Sequence, residues 1–391
     1  MNCQRIYLDN AATSWPKPET VYDAVDYSMR TLGATAGRSV YREAEEVERR
    51  VAQTRTQLAK LLGTTDPTRI IFTANGTESL NLAIHGTVRA GDHVITSVVD
   101  HNSVLRPLRF LEDRRLIEVD RVACDARGFV DPDAIRRAIR TNTRLIVLVH
   151  ASNVTGALQP IEEVGRLARE HELLYLVDAA QSLGHMPFDV RAVGAHMVAA
   201  PAHKGLLGPS GLGILYVAPG CESQLNPLRQ GGTGTQSDID RQPDSLPDKY
   251  EPGNLNVPAV LGLGAAVEFL AQRGLESVRQ HARALTGQLL DGFASVDGVT
   301  LYGPRDPQRQ LGVVSINVRG ADPREVASML DAAHYVQVRA GIHCAPLMHQ
   351  ALKTTGLGGS VRFSLSVFTS PEEVDAAVAA VREIVHAGAG A

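Results

Sequence analysis

Lys204 lies in the run Pro-Ala-His-Lys-Gly-Leu-Leu-Gly-Pro, between a histidine and a glycine-rich turn that lets backbone approach a ligand closely. Most loop lysines are simply exposed. What singles this one out is Asp178, which closes the apolar run from Leu173 to Val177. In open α/β sheets ligands bind beyond the C-terminal ends of the strands, so a carboxylate there faces a site. An aspartate in that position also serves as an ordinary turn or cap. Taken together, the amine and the acid suit pyridoxal phosphate. That cofactor needs a lysine for its Schiff base and an acid that keeps the pyridine nitrogen protonated, so the ring can accept electrons from a substrate carbanion. Gln181, three residues after Asp178, is placed to meet the ring oxygen.

A phosphate needs donors as well. Thr-Ala-Asn-Gly-Thr-Glu-Ser-Leu-Asn follows a predicted strand and opens a helix, so its backbone N–H groups, Gly76 and the Thr77 hydroxyl form an anion cradle. The same residues equally suit a plain helix start, with Thr77 as cap and Glu78 in the first turn. His101, in Val-Val-Asp-His-Asn-Ser, follows another strand and could stack on the cofactor ring or sit in a surface loop.

The elements that must position these groups are legible as a pattern. From residue 69 to 217 short apolar runs alternate with amphipathic stretches. Strands are predicted at 69–73, 92–97, 117–121, 144–150 and 173–178, with helices at 78–88, 103–111, 132–139 and 161–171. Continuous runs such as Leu145–Val149 suit a parallel sheet covered on both faces, the mark of a layered α/β domain. Residues 230–253 are rich in glycine and proline and read as loop. Beyond an apolar helix at 257–270 and a polar one from 275, the tail reads as a smaller α+β unit. Its strands are predicted at 313–318, 335–339 and 360–366, with helices at 323–333 and 371–386. A domain boundary is placed near 270–285. The terminal Ala-Gly-Ala-Gly-Ala reads as a frayed end.

Bulk properties narrow the classes. A chain of 391 residues, 44% hydrophobic, can bury a large core. A net charge of −4 with mixed signs argues against nucleic-acid or acidic-membrane partners. The four cysteines are scattered, without a CxxC pair, so no metal site is expected and a reducing compartment fits. No apolar run is long enough to span a membrane, and the first residues lack a secretory core, so a soluble, cytoplasmic protein is expected.

Several motifs then fall in a familiar order: Tyr-Leu-Asp-Asn-Ala-Ala-Thr (7–13), Asn-Gly-Thr-Glu-Ser (75–79), Asp-His-Asn (100–102), Ser-Asn-Val-Thr-Gly (152–156), Val-Asp-Ala-Ala-Gln (177–181), His-Lys-Gly-Leu-Leu-Gly-Pro (203–209) and Arg-Ala-Gly-Ile-His-Cys-Ala (339–345). Each is weak alone. Together they make the chain resemble the class V aminotransferase family and, within it, the group II (SufS-like) cysteine desulfurases.

The resemblance implies fold type I of the pyridoxal-phosphate transferases. A large, mainly parallel α/β domain would span 16–275, and a smaller α+β domain would be formed by 1–15 with 276–391. It implies Lys204 as the cofactor lysine, Asp178 at the pyridine nitrogen, His101 over the ring and Gln181 at its oxygen. Gly76, Thr77 and His203 would hold the phosphate, while Asn153, Arg362 and Arg339 would hold the substrate. Cys344 would take the sulfur of L-cysteine as a persulfide, leaving alanine. Its setting agrees, since Arg339 and His343 are potential cations that favour a thiolate, whereas Cys3, Cys124 and Cys221 read as incidental. A homodimer and a sulfur-acceptor protein are also implied, with iron–sulfur clusters or thiolated tRNA as possible destinations. Pro201 and Ala202 stand where the family has a hydroxyl residue and a glycine. Asn254 replaces a threonine directed at the partner's phosphate, and Val40-Tyr41 a histidine; the 231–235 run could compensate. Rival readings are a selenocysteine lyase, a transaminase or epimerase, and a weakly active sulfur-relay partner.

Overall fold

Eight short strands and the helices between them build the frame that carries Lys204. The computed structural model describes residues 5–37, 39–236 and 238–388, so Cys3 and the last three residues of the terminal run lie outside it. The strands are β1 (Ile6–Tyr7), β2 (Ile70–Thr73), β3 (His93–Ser97), β4 (Glu118–Val122), β5 (Thr143–Val149), β6 (Leu174–Asp178), β7 (Met197–Pro201) and β8 (Gly213–Val217). All but β1 join one seven-stranded sheet in the order β2-β8-β7-β6-β5-β3-β4. Neighbours from β4 to β7 run parallel, and β8 is antiparallel to both β7 and β2.

The central strands are apolar throughout because both faces are covered. Ile95, Ile146, Leu148, Tyr175, Val177 and Val198 point into one core layer. Their alternates Val94, Leu145, Val147, Leu174, Leu176 and Met197 point into another. This is the period of two expected of a pleated sheet buried on both sides. β4, at the sheet edge, is correspondingly more polar and exposed.

A second sheet follows, built from β9 (Val299–Tyr302), β10 (Val313–Val318), β12 (Arg339–Gly341) and β13 (Ser360–Ser364) in the antiparallel order β12-β13-β10-β9. Helices Leu275–Ala294, Pro323–His334 and Pro371–Gly388 flank it. Their apolar sides, with Leu8 from the far N-terminus, close a separate core. β11 (Val336–Gln337) pairs in parallel with β1.

The strand expected at 335–339 is therefore two. Tyr335 takes a left-handed conformation at φ 56°, and the chain then serves β1 with β11 before joining the four-stranded sheet as β12. The sequence reading assigned nothing before residue 69, whereas helices occupy Glu19–Tyr27 and Arg42–Leu61. β7, β8 and β9 also went unassigned.

Candidate active site

Every parallel strand of the large sheet delivers its next residues to the same edge. Asn75–Thr77 follow β2, His101 follows β3, Asn153 follows β5, Asp178 ends β6 and Lys204 follows β7. One cavity at that edge is lined by Gly76, Thr77, His101, Asn153, Asp178, Gln181, His203 and Lys204, together with Ser103 and Pro201. The location is the one that strand direction dictates for open α/β sheets.

The helix Gly76–Thr87 begins at one end of the cavity. Asn75, not Thr77, caps it: the Asn75 side chain accepts from the Glu78 N–H at 2.9 Å. Thr77 is thereby spared from capping, and its hydroxyl lies 2.8 Å from that of Ser103. Ser103 in turn lies 3.0 Å from His101 Nδ1, which also accepts from the Ser103 N–H. That acceptance puts the His101 proton on Nε2. Burial, aided by Lys204 and nearby arginines, lowers the His101 pKa to about 4, so the ring is neutral. His203 is likewise lowered to about 4 by burial, and its Nδ1 is buried without a hydrogen-bond partner. An orphaned buried nitrogen beside a helix N-terminus suits an anion. Pro201 packs against Gly76, where an added Cβ would lie 3.0 Å from Pro201 Cδ.

Lys204 occupies a tight turn after β7. The Leu207 N–H donates to the Lys204 carbonyl, and the Gly208 N–H to that of Ala202. Gly205 is required next in the chain, because a Cβ there would come within 2.5 Å of the His185 ring and the Leu183 carbonyl. The Lys204 side chain opens into the cavity rather than bulk water. Burial lowers its pKa to about 8, against the opposing pull of Asp178. Asp178 is buried, which raises its pKa, while the Ala180 N–H at 2.9 Å and Lys204 favour its charged form. Gln181 donates to the Ala11 carbonyl at 3.1 Å and lines the same cavity. A ring with a basic nitrogen, an aldehyde and a phosphate fits this donor set.

Cys344 borders an adjoining groove of about 580 Å³, which shares Thr77, His101 and Ser103 with the cavity. Its Sγ lies 3.5 Å from Arg339 Nη2. His343 and Cys344 both adopt left-handed backbone, at φ 50° and 57°, a conformation held in non-glycine residues only by surrounding contacts. This geometry turns the His343 ring inward, where Nε2 meets the Ser360 carbonyl at 3.1 Å. Burial holds its pKa well below the usual value. The expectation of two cations beside the thiol is thus corrected to one, Arg339.

Arg362 faces Arg339 across β13 and β12. It is buried and ion-paired, with Nη2 donating to Asp9 at 2.7 Å and Nη1 to the Asn153 carbonyl at 3.2 Å. Its Nε is buried without a partner. Arg339, Cys344 and Arg362 do not line the Lys204 cavity itself, yet all three act electrostatically on Lys204. Neither Asn254 nor the 231–235 run lines that cavity within the chain. Sequence reasoning missed Ser103, Asn75 and Asp9. Ser103, two residues after His101, was within reach of it.

The family model for class-V aminotransferases matches residues 6–377. A probable cysteine desulfurase from Methanothermobacter thermautotrophicus is 37% identical, covering 98% of this chain and 95% of the relative. The apo structure of a cysteine desulfurase from Thermococcus onnurineus NA1 superposes with a TM-score of 0.91 at 31% identity, covering 98% and 95%. The cysteine desulfurase CsdA from Escherichia coli gives 0.85 at 27% identity, with the same coverage.

Proposed function

The chain belongs to the class-V aminotransferase family, and on that premise we propose that it is a pyridoxal-phosphate-dependent cysteine desulfurase acting through Lys204 and Cys344. Pyridoxal phosphate bound there supplies an electron sink for negative charge at the amino acid's α-carbon. Lys204, with its pKa lowered to about 8, keeps a far larger neutral-amine fraction near neutral pH than an ordinary lysine, to anchor the cofactor and carry a proton from the α-carbon. Asp178 would partner the ring nitrogen of that cofactor and His101 would lie against the ring. Thr77, Gly76, Ser103 and His203 hold the phosphate. Asn153, Arg362 and Arg339 hold and orient the substrate carboxylate.

Cys344 then performs the transfer. Its thiolate attacks the substrate sulfur, an S–S bond forms and the C–S bond breaks. The electron pair goes to the carbon, which takes a proton and leaves as alanine. The products are L-alanine and a Cys344 persulfide, so neither an oxidant nor a reductant is consumed. An acceptor thiol next removes the terminal sulfur. The exposed side chains of Trp15, Tyr22, Tyr27, Met29 and Tyr41 support a homodimer.

The observation that carries the reading is a cysteine held in left-handed backbone and paired with an arginine, on a groove that shares Thr77, His101 and Ser103 with the cavity lined by Lys204 and Asp178. A transaminase or epimerase has no use for that thiol. Cys344→Ala is expected to keep the cofactor's absorbance and to lose alanine production from L-cysteine. Undiminished turnover in that variant refutes the assignment.

A further inference from the structure

The segment bearing the thiol and the lining of the Lys204 cavity share one side chain. Asn153, only 6% exposed, donates through Nδ2 to the His343 carbonyl at 2.6 Å. That carbonyl belongs to the first of the two left-handed residues, and Cys344 is the second. Three other contacts hold the pair: the Asn102 N–H donates to the Cys344 carbonyl at 2.8 Å, the His343 ring meets Ser360, and Arg339 Nη2 meets the Cys344 Sγ. Of these four holders only Asn153 lines the cavity. Its backbone carbonyl accepts from Arg362, so Asn153 is tied to the arginine through its main chain and to the peptide preceding Cys344 through its side chain.

We infer that Asn153 is a positioning residue for the nucleophile, coupling the substrate's α-carboxylate to the placement of Cys344; the inference rests on the desulfurase reading above. A carboxylate arriving at Asn153 and Arg362 competes for the same amide N–H groups that restrain His343. Weakening that restraint releases two backbone conformations that unaided residues of this type avoid. The thiol is thus freed when an amino acid with a carboxylate is in place. Binding and thiol presentation become one event.

The test is alkylation of the cofactor-loaded protein with iodoacetamide, read at each cysteine by peptide mass spectrometry. Asn153→Ala and the shape-conserving Asn153→Asp both lack the donor. In each, Cys344 is expected to react roughly three- to tenfold faster, the factor that one hydrogen bond supplies. Cys221, which is buried, is expected to keep its rate. In the unaltered protein L-alanine is expected to speed Cys344 alkylation by a similar factor relative to L-alaninamide, which lacks the carboxylate, and the variants lose that response. An unchanged Cys344 rate in both variants overturns the inference, as does a parallel rise at Cys221, which signals general loosening. The ligand-free comparison reads the segment alone. Absent alanine production with this alkylation pattern intact therefore strikes the desulfurase reading and not the coupling.

Discussion

Lys204 offers the sharpest quantitative check, because its environment predicts how fast it captures an aldehyde. Its pKa is lowered to about 8, first by burial, and Asp178 opposes the shift. A lowered lysine pKa means that the nucleophilic neutral amine is gained as pH rises through about 8. At about pH 7.5 roughly a quarter of the Lys204 amines are neutral, against roughly one in a thousand for an ordinary lysine. Protein freed of cofactor is therefore expected to take up pyridoxal phosphate with a rate that climbs about tenfold per pH unit below 8 and levels off above it. Asp178→Asn removes the largest group holding the ammonium form, so the midpoint falls further. His101 and His203, both lowered to about 4, are silent in this window. Lys17 is lowered to about 8 by burial as well, so Lys17→Gln is the necessary control and is expected to leave the midpoint in place. Stopped-flow absorbance across pH 6–11 makes the measurement. A rate still climbing at pH 10, or an Asp178→Asn midpoint that moves upward, refutes the electrostatic reasoning.

Two other substitutions follow from the same geometry. Pro201→Ser restores a hydroxyl donor at the phosphate end and is expected to tighten cofactor binding by roughly fivefold in equilibrium titration, the worth of about one hydrogen bond; unchanged or weaker binding contradicts the phosphate assignment. Asp9→Asn leaves the buried Arg362 guanidinium without its counter-charge. Removing one partner of a fully buried pair costs about 3–5 kcal/mol. Because Asp9 keeps 22% of its side-chain surface exposed, about 2 kcal/mol is expected here, which denaturant unfolding would read as a shifted midpoint. An unshifted midpoint assigns the pair no structural weight.

How much of this was readable from sequence depended on whether the signal was local. Strands β3, β5 and β6 announce themselves as mainly apolar runs, because burial on both faces leaves little alternation to interpret. Residues 42–61 are hard to read for the opposite reason: Arg and Glu crowd the helix, and its buried stripe mixes Val47, Val51 and Leu58 with Ala44, Thr54, Arg55 and Ala59. The gathering of Thr77, His101, Asn153, Asp178 and Lys204 at one sheet edge was legible because strand ends and ligand sites coincide in such sheets. The thiol's surroundings were not. Whether His343 stands beside Cys344 or turns inward is decided by two backbone dihedrals, and residue order carries no trace of them. The Asp9–Arg362 pair joins residues 353 apart in sequence, and no spacing rule connects them.

That pairing follows from β1 lying alongside β11, which makes the beginning of the chain a structural part of its end. During synthesis Asp9 emerges early and has no partner until residues 336–364 have been made. The Asp9–Arg362 pair therefore assembles after the large sheet has the local contacts it needs. A bulky group that sterically hinders β1 would be felt more than 300 residues downstream, at Arg362.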